Sequence, residues 1–164
     1  MQALKGAGAA IAAMMWTAAA DAQTITLRDP QMIAELLRVE GYEATIDTVK
    51  PGEDPIITGS KDGMKFGLYF ANCDKGKECQ SVELYSGFKD HKLDHEKINK
   101  WNSEKRFVRA YLEKDGDAVL NMDVNVEPGG LERKLFVDNL EIWWSLLNQF
   151  EAQAYPPEPA KSAK

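Results

Sequence analysis

The chain has 164 residues, with 26 acidic against 20 basic side chains, a formal charge of −6 and 44% hydrophobic residues. An acidic surface repels phosphate backbones, which excludes nucleic-acid binding through clustered Lys and Arg as the expected role. The apolar share is ample for one sizeable core, and the length fits one domain behind a short leader.

Met1 to Ala22 has the layout of a secretory signal. Lys5 precedes an apolar run from Ala7 to Ala20, and Ala20 and Ala22 occupy the small-residue positions before a cut at Gln23. The run of about fourteen residues is short of the roughly 20 needed to cross a hydrocarbon core. No second run of spanning length follows, so no stable membrane insertion is expected after cleavage. A bacterial periplasmic or secreted location is expected instead. Removal of the leader takes one Lys and one Asp and leaves the charge at −6. The expected organisation is a signal peptide over 1–22, a single α+β domain over 23–154 and a disordered Pro-rich tail over 155–164.

Asp29-Pro30 before Met32, Ile33, Leu36 and Leu37 predicts a capped helix with proline at its first position, ended by Gly41. From Tyr42 to Gly87 the pattern turns to short runs rich in Ile, Val, Thr, Phe and Tyr, broken by Pro51-Gly52, Asp62-Gly63 and a cysteine loop. These predict about four strands joined by hairpin turns. Met64, Phe66, Leu68 and Phe70 alternate and mark one buried sheet face.

Cys73 and Cys79 are the only cysteines. In an oxidising compartment so close a pair predicts a structural disulfide across a hairpin tip, worth about 2 kcal/mol. Free thiols and a redox pair are the alternatives, but C-x-x-C spacing and further zinc ligands are absent.

Asp94 to Lys105 predicts a short surface helix capped by Asp94 and pinned by Ile98 and Trp101. Two strands follow, Arg106 to Glu113 and Ala118 to Val126. A three-residue loop, Lys114 to Gly116 with Gly116 left-handed, aligns Val108, Ala110 and Leu112 with Met122, Leu120 and Ala118. A two-residue Asp115-Gly116 turn would oppose polar to apolar residues. After Pro128-Gly129-Gly130 a long helix is expected from Leu131 to Ala154. The predicted fold is α+β in the order α-β-β-β-β-α-β-β-α, an antiparallel sheet of about six strands with helices packed on it.

In the last helix Phe136, Leu140, Trp143, Leu147, Phe150 and Ala154 form one narrow stripe. Val137 and Trp144 on one flank, with Leu135, Ile142 and Leu146 on the other, widen the apolar arc to about 220°. One sheet face covers less than that. The surplus is either covered by the first helix and a loop or left for a partner, and Trp144, Val137, Ile142 and Leu146 are the candidate interface residues.

His91 and His95, four apart, would hold a metal only on one helix, and Leu93-Asp94 between them reads as a helix start. Asn121, Asp123 and Asn125 share one face of a strand near Arg109. They suit either a solvated polar face or a small-ligand or metal-ion sensor, without a D-x-D-x-D-G calcium loop. Serine-nucleophile, Cys-His, paired-carboxylate and phosphate-loop motifs are missing, so no enzymatic activity, catalytic residue or cofactor is expected.

Lys100-Trp101-Asn102, Arg106-Phe107, Asp115-Gly116-Asp117, Leu120-Asn121-Met122-Asp123 and Asp138-Asn139-Leu140 through Leu147 with Phe150 follow one another in a recognisable order. In this the chain resembles the YbjN family, described as bacterial sensory transduction regulators, over roughly residues 25 to 154. The resemblance implies a fold like the small secretion chaperones, which bind extended partner segments, and implies no enzymatic activity, cofactor or binding residue. The signal peptide and the loop cysteines set this chain apart from a cytoplasmic regulator. The function expected is a noncatalytic binding or regulatory module that engages a protein partner or self-associates through its last helix.

Overall fold

The computed structural model describes residues 26–47, 52–127 and 129–157. The expected signal peptide and its expected cleavage site, Pro51, Pro128 and the tail from 158 onward lie outside the described residues.

Among the described residues eleven elements succeed one another: β1 (Thr26–Leu27), α1 (Pro30–Val39), β2 (Glu43–Ile46), β3 (Ile56–Lys61), β4 (Met64–Ala71), β5 (Ser81–Phe88), α2 (His95–Glu104), β6 (Arg109–Leu112), β7 (Ala118–Asn125), β8 (Leu131–Glu132) and α3 (Arg133–Ala154). Six strands form an antiparallel sheet in the order β2-β3-β4-β5-β7-β6. The fold is α+β, in the predicted order apart from two short additions, β1 and β8. These pair with each other, Thr26 with Glu132 and Leu27 with Leu131. Leu131 and Glu132 are therefore extended rather than helical, and α3 begins at Arg133, two residues later than its apolar pattern suggests.

Local chemistry sets the helix ends. Asp29 accepts the Gln31 N–H at 2.9 Å and Pro30 opens α1. Asp94 accepts the Lys97 N–H at 2.9 Å, and that bond holds its carboxyl below the ordinary value. Asp62-Gly63 makes the two-residue turn between β3 and β4, with Lys61 opposite Met64. Between β6 and β7 the longer loop is used: Gly116 is left-handed at φ 94°, Ala110 faces Leu120 and Leu112 faces Ala118.

The core lies between one sheet face and the helices. Phe66, Leu68 and Phe70 of β4, Val82, Leu84 and Phe88 of β5, and Leu120, Met122 and Val124 of β7 are buried. Against them lies the predicted stripe of α3, each of its six residues at most 2% exposed. Aromatic edges knit the layers: Phe66 to Trp143 at 6.4 Å, Phe88 to Phe150 at 5.0 Å and Trp101 to Phe150 at 5.0 Å between ring centroids. Fully burying side chains of this size stabilises by about 1.5–3 kcal/mol each. Tyr155, expected to begin the tail, instead donates its hydroxyl to Lys89 O at 2.6 Å and lies near Phe88.

Both sheet edges carry a helical side chain at their middle. On β2, Arg38 of α1 donates Nε and Nη2 to Ala44 O at 3.1 and 2.8 Å. On β6, Asn102 of α2 donates to Ala110 O and accepts from Ala110 N, both at 2.9 Å. The amide thus mimics a neighbouring strand. Cys73 and Cys79 are bonded across the loop joining β4 to β5. That loop docks on the link between β1 and α1 through Cys79 N–H to Arg28 O at 3.2 Å and Arg28 Nη2 to Glu78 O at 3.2 Å.

Candidate interaction groove

The structure divides the surplus apolar surface of α3 in two. Val137 and Trp144 pack partly buried against the core. Trp144 meets Tyr42 edge to face at 5.6 Å and Phe66 at 6.4 Å, while Lys61 Nζ lies 4.4 Å from the Tyr42 ring centroid and 5.8 Å from that of Trp144. This flank is turned largely toward its own chain. Burial, followed by the Glu141 carboxylate, pushes the Tyr42 hydroxyl up to about 12.

The opposite flank is part-exposed, with Leu146 also packed in part against the core. Ile142 and Leu146 line a groove of about 550 Å³ whose other wall is Glu104, Lys105, Arg106 and Phe107 at the end of α2. Leu135, two turns earlier on α3, is 49% exposed. The rims differ in charge: on the α3 side stand Asp138 and Glu141, and on the other Lys105 and Arg106 with Glu104. A segment with an apolar anchor and a neighbouring cation complements the acidic rim.

Phe107 is the residue that the sequence pattern misplaces. Arg106 and Phe107 are not in the strand, which begins at Arg109. Because Asn102 ties the last turn of α2 to Ala110, the intervening residues close tightly, and Phe107 takes a left-handed backbone at φ 72°. For a bulky residue this is an outlier costing about 1–2 kcal/mol. It leaves the ring 59% exposed at the groove, with the Arg106 guanidinium 5.2 Å from its centroid. Strain that holds a large apolar side chain in water points to a use for that side chain.

The other candidates separate. His91 lies outside α2, with Nε2 2.8 Å from Gly116 O and Nδ1 accepting the Leu93 N–H at 3.0 Å, while His95 starts the helix exposed. Among the described residues no three His, Cys, Asp or Glu side chains stand together as a metal site. Of the polar row on β7, Asp123 lies 3.9 Å from Arg109, Asn125 accepts the Glu127 N–H at 3.0 Å, and Asn121 is only 1% exposed. None of the helices among the described residues is long and apolar enough to cross a membrane.

A family model described as "Putative bacterial sensory transduction regulator" matches residues 29–155. The match opens at the N-cap of α1 and closes at the C-cap of α3, so it takes in every element except β1. No curated protein and no solved structure matches the chain. A match of that extent places this chain in the YbjN family.

Proposed function

We propose that this chain is a noncatalytic, exported regulatory module that binds a segment of another protein in the groove between the end of α2 and α3. The observation that carries the reading is Phe107, held exposed by a left-handed backbone opposite Ile142 and Leu146. The occupant is a partner segment with one large apolar side chain in the groove and a Lys or Arg against Asp138 and Glu141. Family membership supports a regulatory role for such binding. A small-ligand sensing role for the open sheet face rests on other residues and is compatible with this one.

A photocrosslinking residue at position 142, introduced into the full chain in its native host, tests the groove. Phe107→Asn is the control, since asparagine tolerates the left-handed backbone. A discrete heterologous adduct that disappears with Phe107→Asn while thermal stability is retained supports the proposal. An adduct between two copies, matched by a dimer in sedimentation, makes the occupant a second copy and overturns the heterologous reading. An adduct indifferent to Phe107→Asn, or no adduct, overturns the groove.

Export rests on the leader-like composition of residues 1–22 and is supported by the bonded pair Cys73 and Cys79. Intact mass of native material should begin at Gln23 with both sulfurs resistant to alkylation. A retained Met1, or two free thiols, would remove this part of the proposal.

A further inference from the structure

The sheet face turned away from the helices carries a constellation that the groove does not use. Across β4, β5, β7 and β6 the outward residues align as Gly67, Tyr85, Asn121 and Arg109 in one row, with Tyr69, Glu83 and Asp123 in the next. A third row sets Gly87, Val119 and Tyr111 side by side. Tyr69 folds over Gly67, where an added Cβ would meet its ring at 2.6 Å, and Tyr85 folds toward Gly87, its hydroxyl 3.4 Å from the corresponding point. The glycines let these rings lie low on the sheet. Tyr69 and Tyr85 meet edge to face at 5.5 Å, and Tyr111 stands opposite Val119 on the same face, near enough to influence the Tyr85 hydroxyl.

Val119 is 0% and Asn121 1% exposed on this face, while neighbouring outward residues such as Tyr69, Arg109 and Asp123 are exposed. Asn121 Nδ2 donates to the Glu83 carboxylate. That bond fixes the amide's orientation, because the flipped amide would set carbonyl oxygen against carboxylate. Asn121 Oδ1 is left buried without a donor among the described residues. Leaving an acceptor so costs about 1–3 kcal/mol, which a native fold tolerates where the group has another use.

The face is acidic on balance, with Glu83, Glu113 and Asp123 against Arg109 and Lys65. After burial, Glu113 is the main influence raising the Tyr85 and Tyr111 hydroxyls, and Glu83 acts on both as well. Arg109 is a cation already drawn to the face: its guanidinium lies 5.9 Å from the Tyr111 centroid and 3.9 Å from Asp123. An anion would be repelled here. A neutral polyol donates hydrogen bonds to the carboxylates but leaves their charge unbalanced, whereas a cation engages ring faces and neutralises carboxylates together.

We propose that this tyrosine band binds an organic cation bearing N–H donors, an alkylammonium or guanidinium compound. Tyr69, Tyr85 and Tyr111 take the cation on their rings, Glu83 and Glu113 balance its charge, and Asn121 Oδ1 accepts one of its hydrogens once the covering side chains part. The assignment is independent of the groove, which lies among the helices. No covalent step is involved.

The test is calorimetric and NMR titration of the mature chain with putrescine, agmatine and guanidinium. Tetramethylammonium serves as a cation without N–H, and butane-1,4-diol as a neutral analogue. At least one N–H cation should bind saturably and shift the amides of Glu83, Tyr85, Tyr111 and Asn121. Glu83→Gln keeps an acceptor for Asn121 and should weaken binding by about tenfold; Tyr85→Leu should do the same, the loss expected of one cation–π contact. Tetramethylammonium should bind at least about tenfold more weakly than the best N–H cation, by the same scale for one lost hydrogen bond. Absence of saturable binding, equal affinity for the diol or for tetramethylammonium, or binding unchanged in a folded Glu83→Gln variant would overturn the assignment.

Discussion

Replacing Asn102 by alanine removes two hydrogen bonds in one step, because the side chain both donates to Ala110 O and accepts from Ala110 N at 2.9 Å. Each such bond contributes about 0.5–1.5 kcal/mol net, so the pair amounts to roughly 1–3 kcal/mol. Ala110 is 2% exposed, so water reaches its freed backbone groups poorly, and the loss should fall toward the upper end. Urea unfolding should show a lower midpoint with an unchanged slope, and exchange of the Ala110 amide should accelerate with it. Asn102→Asp adds a pH signature. Its carboxylate still accepts the Ala110 N–H but repels Ala110 O, and only the protonated acid restores a donor. The introduced group's folded pKa is therefore raised above the unfolded value near about 3.9. Its contribution is present below that value and lost as pH rises through the folded pKa, so the deficit of Asn102→Asp shrinks on acidification while that of Asn102→Ala stays constant. An Asn102→Ala variant within about 0.5 kcal/mol of wild type, the ordinary scatter of surface changes, would refute the view that this amide closes the sheet edge.

Reducing the Cys73–Cys79 bond, or replacing both cysteines by serine, should lower unfolding free energy by about 2 kcal/mol, as closing so short a loop predicts; an unchanged urea midpoint would contradict this. Gly116→Ala should cost about 1–2 kcal/mol for backbone reasons alone, since φ is 94° and nothing lies within 4 Å of an added Cβ; a neutral thermal melt would count against the left-handed loop. In alkali, Tyr42 and Tyr85 hold their protons to about 12, raised first by burial and then by Glu141 and Glu113 respectively. Unfolded tyrosines titrate near about 10, so stability is intact below that pH and falls as pH climbs toward the folded values. Tyrosinate absorbance rising in a single step near the unfolded value, in protein that is still folded, would disprove it.

Much of this architecture is legible in residue order because the signals are local. Alternation in Met64 to Phe70, the Asp62-Gly63 turn, the Asp29-Pro30 and Asp94 caps and the α3 stripe each act over a few neighbours, and each appears where its pattern lies. The β6–β7 register was equally readable, since matching apolar faces leaves only one loop length. What could not be read depends on distant partners. Leu131 and Glu132 continue the apolar pattern of α3 and become extended only because Thr26 and Leu27 lie beside them. Phe107 reads as strand by composition, and its left-handed turn follows from the tie between Asn102 and Ala110. Ile142 and Leu146 could be named as surplus, but the wall that makes a groove of them comes from another helix. Trp144 could not be divided between core and interface without knowing that Tyr42 would meet it. Asn121 alternates with two solvated residues, and its burial opposite Tyr85 and against the Glu83 carboxylate depends on the neighbouring strand.

The pairing of β1 with β8 has a consequence for the order in which the molecule can be completed. Thr26 and Leu27 are the first described residues to leave the ribosome, yet their partners, Glu132 and Leu131, emerge only after the six strands of the large sheet. During vectorial emergence this strand has no strand partner until all six strands of the large sheet have appeared, so this clasp shuts late, after the hairpins of β3 to β5 have had time to form. A leader attached just ahead of Thr26 would meanwhile ride on an end that is still loose, open to whatever must hold it or cut it.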